Sequence, residues 1–359
     1  MRKLHFIFII LAMLVLNDLA AQQFPLTSHY LVNPNALNPG FAGAFNRSEL
    51  FLNFRRDWSA IEGSPRTVRI NGNLRVYDKM YLGGDVYTDF ADIFYRLRAG
   101  LSYTYRLEVG DQQHLSFGLS GHFYQSVIRL DQANVDLDDP LLKDLDRLFN
   151  SNFNAAFGLV YSNRNFYAAF GMPVMFRTKE AYENQSSGNF SFERAYDFYL
   201  TNSFSLSQEW KFQPGLLIRK TVNQPVIFDL STLFTYQKQF WLGALYRNTS
   251  LFGLTAGVRV LNGMVLNYTF EAGVGGIHRF AGNTHEFTIG FSKMQDDTRF
   301  HRRSNSGRER VDLRQKPDKE AVKAEKRKEA KARKSKARPK KVIKAPALKD
   351  LKYAPYEKF

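Results

Sequence analysis

Between Ser48 and Lys293 the chain reads as about fourteen short runs in which apolar and polar residues alternate, the period-2 signature of strands with one apolar face. In one run Leu97, Ala99, Leu101, Tyr103, Tyr105 and Leu107 share a face, and Arg98, Gly100, Ser102, Thr104 and Arg106 make the other. A second run sets Leu115, Phe117, Leu119 and Phe123 against Ser116, Gly118, Ser120 and His122. A soluble sandwich also alternates, but its runs are shorter and its aromatics keep less consistently to the apolar side. Lipid outside and water or polar filling inside accounts for both habits. The expected fold is therefore all-β, a transmembrane antiparallel β-barrel of about 14 strands, reaching from 48 to 293.

The runs fall near 48–56, 66–76, 79–87, 96–107, 112–124, 152–161, 165–172, 195–206, 210–219, 225–236, 239–247, 252–260, 264–271 and 285–293. Their connections alternate in length. Tyr77-Asp78, Glu108 to Asp111, Ser162 to Arg164, Ser207 to Glu209, Gln237-Lys238 and Leu261 to Gly263 read as tight turns, the last with an Asn-Gly hairpin signal. The connections between them are mostly longer, above all near 125–151 and 173–194. Short turns mark the periplasmic end of an outer-membrane barrel, so both chain ends are expected in the periplasm. Tyr161, Phe166, Trp210, Tyr236 and Phe240 sit beside the short turns, where an interfacial aromatic girdle belongs.

The chain ends follow other rules. Met1-Arg2-Lys3, the apolar stretch Leu4 to Leu16 and Leu19-Ala20-Ala21 read as a secretory signal peptide over 1–21. No later stretch approaches the roughly 20 apolar residues of a membrane helix. The 359 residues include no cysteine, so neither disulfides nor a lipid-bearing cysteine contributes. A negative mean hydropathy of −0.36 is compatible with a barrel, in which only alternate residues meet lipid. The net charge of +16 is concentrated: Arg299 to Phe359 holds 23 Lys or Arg against 8 Asp or Glu, a balance of +15, which leaves +1 for everything before it. This basic stretch, 294–359, reads as a disordered or helical periplasmic tail. It carries helix-supporting pairs such as Glu320 with Lys323, then apolar anchors at Leu351, Tyr353, Tyr356 and Phe359. Docking peptide and plain disordered tail both fit it.

Within the loop at 129–151, Asp139 suits an N-cap and Pro140 a first helical position, and Leu141, Leu142, Leu145, Leu148 and Phe149 fall on one face of an expected helix. Its aspartates lack the glycine and terminal glutamate of a calcium loop, which favours a solvated acidic loop.

No catalytic signature emerges. HExxH, a Walker A loop, a GxSxG elbow and a cysteine nucleophile are all missing from the sequence. Gly118-Leu119-Ser120-Gly121-His122 lies inside an alternating run and lacks the elbow's spacing. His29, His114, His122, His278 and His285 show no metal-ligand spacing, so neither metal nor cofactor is implied. The polar phase is more informative. Arg69, Arg75, Arg98, Arg106, Lys211, Arg219, Arg247 and Arg259 fall on it with Asp85, Asp197, Asp229 and Glu271. They make either ion-pair ladders along the lumen or an anion-preferring passage.

Two segments break the alternation. Ser28-His29-Tyr30-Leu31-Val32-Asn33-Pro34-Asn35-Ala36-Leu37-Asn38-Pro39-Gly40-Phe41-Ala42-Gly43 holds two Asn-Pro turns, and its compactness suits it to fold into the periplasmic mouth, so that 22–47 reads as a periplasmic or plug segment. Arg55 to Thr67 follows with a Trp and a Gly-Ser-Pro turn. Together they resemble the PorP/SprF family of type IX secretion outer-membrane proteins, whose signature runs approximately Q-Y-x-x-N-P-x-x-x-N-P-A-Y-A-G and then R-x-Q-W-x-G-x-x-G-A-P-x-T. His29 stands for the family's Gln, Gly40-Phe41 for Ala-Tyr and Ala60 for Gly, and the basic tail is outside the signature. The resemblance implies a non-enzymatic component of the Bacteroidota secretion and gliding machinery that supports export or surface attachment of adhesins or proteases. It also implies, as positions that bind partners or plug the barrel, Tyr30, Asn33, Pro34, Asn38, Pro39, Ala42, Gly43, Trp58, Gly63, Pro65 and Thr67. Expected partners are other secretion components, secreted cargo and outer-membrane lipid, with periplasmic ring proteins or cell-wall polymer reached through the tail, and no nucleic acid. The rival expectation is a diffusion porin or substrate channel.

Overall fold

A computed structural model describes residues 26–130, 147–179, 191–260, 263–274 and 278–294. Its strands are β1 (Arg47–Arg56), β2 (Arg66–Tyr77), β3 (Met80–Ala91), β4 (Phe94–Gly110), β5 (Gln113–Arg129), β6 (Arg147–Asn163), β7 (Phe166–Val174), β8 (Thr178–Lys179), β9 (Ser191–Phe192), β10 (Ala195–Asn202), β11 (Phe204–Ser205), β12 (Trp210–Thr221), β13 (Val226–Tyr236), β14 (Phe240–Arg247), β15 (Leu251–Arg259), β16 (Met264–Gly273) and β17 (Thr284–Met294). Fourteen of them, β1–β7, β10 and β12–β17, close into one antiparallel barrel. The seam pairs β1 with β17 from Arg47↔Met294 to Arg56↔His285, while β10 pairs with both β7 and β12. Closure gives every spanning strand two neighbours, so no row of backbone donors and acceptors is left facing lipid. β11 lies outside the ring beside β12, and β8 with β9 forms a separate two-stranded piece.

The two faces of the wall invert the habit of a soluble protein. Outward side chains include Leu74, Leu101, Leu242 and Leu254, which are 65%, 77%, 68% and 66% exposed. Leaving such groups in water forfeits about 1.5–3 kcal/mol each, whereas lipid covers them. The inward face buries Asn53, Arg55, Thr104, Ser116, Asn267 and Glu286. No helix among the described residues is long and apolar enough to cross a membrane.

Connection lengths sort the two rims. The turns at 78–79, 111–112, 164–165 and 237–239 gather at one rim, and the connections at 57–65, 130–146, 175–194 and 274–283 at the other. Three links at that second rim are shorter than the sequence suggests, at 92–93, 222–225 and 248–250. β3 and β4 continue past their alternating runs, so Asp92-Ile93 turns the chain where a longer loop was expected. The helix expected after Asp139 also needs correction at its end. Leu148 and Phe149 belong to β6, paired with Ile128 and Val127. Their backbone groups are committed to the β5 ladder, which overrides a local helical spacing. The rest of that helix, the signal peptide and the basic tail lie outside the described residues.

The main apolar core sits inside the ring. Tyr30, Leu37, Phe41 and Ala44 of the N-terminal segment cluster with Val160, Ala169, Tyr199, Leu217, Leu245 and Leu251 of the wall.

Candidate functional site

The segment from Leu26 to Asn46 runs through the lumen, and its own sequence sets its shape. Pro34 opens a single 3-10 turn, Pro34–Ala36, at the position where its missing N–H is harmless. Asn38 repeats the step: its Oδ1 accepts the Gly40 N–H at 2.8 Å, and Phe41 and Ala42 donate back to the Asn38 and Pro39 carbonyls. The short helix Phe41–Ala44 follows. These local bonds satisfy much of the backbone of a non-strand segment enclosed by a barrel.

Shape holds the downstream half. A Cβ on Gly118 would lie 2.5 Å from the Gly40 nitrogen, and one on Gly158 would lie 2.8 Å from the same atom and closer still to the Asn38 amide. These wall positions take only glycine at this approach distance. Asn38 Nδ2 donates to the Phe170 carbonyl at 2.8 Å, and Thr104 Oγ1 to the Pro39 carbonyl at 2.8 Å. Ala42 and Gly43 are buried beside them, Gly43 against Thr104 and Ser116. Tyr30 meets the Tyr199 ring edge-on at 5.5 Å, Phe41 meets it at 6.0 Å, and Phe45 packs on Tyr167 at 5.2 Å. Halfway along, the Asn33 and Asn71 side-chain amides exchange hydrogen bonds of 2.8 and 3.3 Å.

Charge holds the upstream half. Arg55 Nη1 donates to Glu271 Oε1 and Glu286 Oε2, both at 2.9 Å, while Nη2 donates to Glu271 Oε2 at 2.8 Å and Nε to Asp57 Oδ1 at 3.0 Å. The Ser28 N–H donates to Glu286 at 2.9 Å, and the Thr27 and Ser28 hydroxyls donate to Glu286 and Glu271. Arg247 adds a bidentate pair with Asp229 at 2.7 and 2.9 Å and reaches the Ser28 hydroxyl at 3.4 Å. All four of Arg55, Arg247, Glu271 and Glu286 are almost fully buried.

His29 sits at the centre of this network, with polar neighbours at both ring nitrogens. Trp241 Nε1–H, a donor only, gives its proton to Asn267 Oδ1 at 2.7 Å, which turns the Asn267 amine toward His29 Nε2 at 2.9 Å. Nε2 also lies 2.8 Å from Thr269 Oγ1, and Nδ1 lies 2.6 Å from Thr288 Oγ1 and 3.4 Å from the Asn53 amine. Burial holds the imidazole below its ordinary 6.5, opposed by Glu286 and Glu271 and reinforced by Arg55.

The segment does not stop at the short-turn mouth. Thr27 and Ser28 bond to Glu286 and Glu271, each the third residue from the long-connection ends of β17 and β16, whereas Asn46 receives the Tyr81 hydroxyl near the short-turn rim. The expected compact fold in one mouth is therefore corrected to a run along the lumen, because the polar anchors of the wall are spread along its length.

The second motif joins the first through Arg55, whose two glutamate partners also hold Ser28. Residues 57–65 form a connection at the long-connection rim, with Trp58 at φ +50° and 40% exposed. Ser59 and Ala60 donate to the Asn283 and Ala281 carbonyls at 2.9 and 3.1 Å, and Pro65 accepts from the Asp57 N–H at 2.9 Å. Gly63 takes φ +71° with its carbonyl accepting from Asp92 at 2.9 Å, so a side chain there would be strained and crowded. Thr67 points inward and donates to Asp89 at 2.8 Å.

The inward cations divide into two groups. Arg69 and Arg98 share Asp85, Arg247 holds Asp229, Arg219 lies 3.8 Å from Asp197, and Arg75 lies 3.6 Å from Asp78. Arg106 Nε is buried without a hydrogen-bond partner among the described residues. Lys211 and Arg259 line the short-turn mouth and have no ion-pair partner among the described residues. Ser120 Oγ lies 2.7 Å from His122 Nε2, but His122 Nδ1 has no partner among the described residues, so no third group orients the ring as a base. Among the described residues no three His, Asp or Glu side chains are placed to share a metal ion.

Sequence reasoning passed over Glu286, Asn53, Thr269 and Thr288. Each sits on the polar phase of its run, as in Thr284, Glu286 and Thr288 of β17, and that phase was the available signal.

A model of the type IX secretion system membrane protein family PorP/SprF matches residues 19–291. No curated protein matches the chain significantly. Solved structures similar to it include a mutant of the monoaromatic hydrocarbon channel TodX, at 7% identity and a TM-score of 0.45, covering 78% of this chain and 97% of that one. A Pseudomonas aeruginosa FadL homologue matches at 11% identity and a TM-score of 0.43, over 76% and 95% of the two chains. Omp33 of Acinetobacter baumannii matches at 9% and 0.41, over 69% and 98%.

Proposed function

Because this chain belongs to the PorP/SprF family of type IX secretion system membrane proteins and folds as a barrel of the bacterial outer membrane, we propose that it is a non-enzymatic scaffold for export or surface attachment of cargo proteins such as adhesins or proteases. One observation carries this reading over a diffusion channel: residues 26–46 fill the lumen, seated on wall glycines and tied to buried carboxylates. A lumen occupied along its length supports action by binding over free diffusion. In this reading Tyr30, Asn33, Pro34, Asn38, Pro39, Ala42 and Gly43 are the plug, and Trp58, Gly63, Pro65 and Thr67 shape the rim above it. The long connections meet cargo at the cell surface. The short-turn rim, where β1 begins and β17 ends, faces the periplasm and sends the basic stretch after β17 toward periplasmic ring proteins or cell-wall polymer.

Two measurements test the scaffold. Full-length protein in a planar bilayer is expected to stay silent, and pull-down from solubilised membranes is expected to recover other secretion components. A steady open conductance together with no recovered secretion component would overturn it in favour of a porin. Deleting 300–359 is expected to leave the barrel inserted while impairing export. Unimpaired export would remove the tail from the mechanism.

A further inference from the structure

At the short-turn mouth, between the lumen segment and the wall, lies a cleft of about 350 Å³ whose two halves differ in chemistry. Its floor is apolar and largely aromatic: Phe41 and Phe45 from the segment, Tyr199, Leu233 and Trp241 from the wall. Its lip is cationic, with Arg47, Lys211, Lys238 and Arg259, and no carboxylate lines it. Arg47 is engaged, bonded to the buried Glu49 at 2.5 Å and lying over the Phe45 ring at 4.8 Å. Lys211, Lys238 and Arg259 have no ion-pair partner among the described residues. Four cations with one adjacent acid leave the lip with a surplus of three. Elsewhere in the lumen the cations are largely matched: Arg55, Arg247, Arg69 with Arg98, and Arg219 each face a carboxylate.

We propose that this cleft is a docking site for an acidic peptide segment, presented from the short-turn side and carrying an aromatic or large aliphatic side chain that occupies the floor. Carboxylates complement the lip's surplus of positive charge, and an apolar anchor replaces water over five apolar side chains. The site lies inside the ring, whereas lipid headgroups lie outside it, so a peptide suits it better than an anionic lipid. The basic stretch after β17 has the wrong charge for it. The inference stands apart from the export role, since it concerns what the mouth binds and not what the barrel transports.

The test uses the full chain in detergent micelles and a fluorescent peptide rich in Asp and Glu with one Trp. Comparison peptides carry Ser in place of the Trp, or Lys in place of the acids. The acidic Trp peptide is expected to bind, and to weaken as salt screens the lip. In the double variant Lys211→Glu, Arg259→Glu its Kd is expected to rise at least about tenfold, and the Lys peptide, which the unaltered protein ignores, is expected to bind instead. Lys238→Glu, in an exposed turn, is the second variant and should show a smaller loss with the fold intact. Equal affinity for the acidic Trp peptide in all three proteins overturns the proposal. So does equal binding of the Ser peptide, or capture of anionic lipid micelles in preference to any peptide.

Discussion

The two halves of the lumen segment are held by different physics. From Thr27 to His29 the chain is gripped by buried charge, with Arg55 compensating Glu271 and Glu286 while the segment supplies hydrogen-bond donors to both acids. From Asn38 to Phe45 it is gripped by shape, lying against glycine backbone and stacked aromatic rings. The charged half has little tolerance for loss of a partner, because an unpaired buried ion costs far more than the pair contributes. The shaped half fails when something is added.

The largest expected effect breaks the charged half. Arg55→Leu leaves Glu271 and Glu286 without their shared cation and is expected to cost about 3–5 kcal/mol. Thermal unfolding in detergent, followed by the β-sheet circular dichroism signal, measures it. A loss no larger than that of the shape variants would show that both halves are held with equal tolerance. Next, Gly158→Val forces Asn38 and Gly40 away from β6 and is expected to cost about 1–3 kcal/mol. Because it unseats the segment without disturbing the Arg55 cluster, its second reading is a rise in bilayer conductance. Asn38→Ala is milder: it strands the Phe170 carbonyl and the Gly40 N–H, for about 1–2 kcal/mol.

The smallest effect sharpens the comparison through pH. His29 folds neutral, with its imidazole below 6.5, so burial opposes its protonation. The stability tied to the neutral ring is complete above the unfolded value near 6.5 and is lost as pH falls from there through the lower folded value. The slope is at most about 1.4 kcal/mol per pH unit. His29→Gln removes this titration and is expected to flatten the midpoint-against-pH curve between 6.5 and the onset of carboxylate protonation. An unchanged curve would place the titrating group elsewhere.

Architecture was legible in the sequence because the two faces of each strand meet different solvents, and a period of two records that directly. Arg98 and Leu101 are on opposite phases in the run and on opposite sides of the wall in the structure. The lumen contacts were much less legible. Gly118 and Gly158 read as ordinary small residues of alternating runs, and nothing local says that the Asn38-Pro39 turn presses on them from 80 and 120 residues upstream. Glu286 is a single acid in β17 whose partners Arg55 and Thr27 lie more than 230 residues away. Leu148 and Phe149 misled in the other direction, since their spacing suits a helix while the β5 ladder claims their backbone.

The seam between β1 and β17 has a consequence for how the molecule is put together. Asn53 and Arg55 reach from the first strand to Glu286 on the last, and Glu286 also receives Ser28 from the segment inside. Those bonds exist only when the ring is shut. Seating the segment and zipping the first strand to the last are thus coupled through Glu286, and a ring that closes around an empty lumen forfeits the Thr27 and Ser28 donors that this seam carboxylate accepts. The polar knot works as an inspection stamp on assembly, formed only by a chain whose beginning and end have found each other around the right filling.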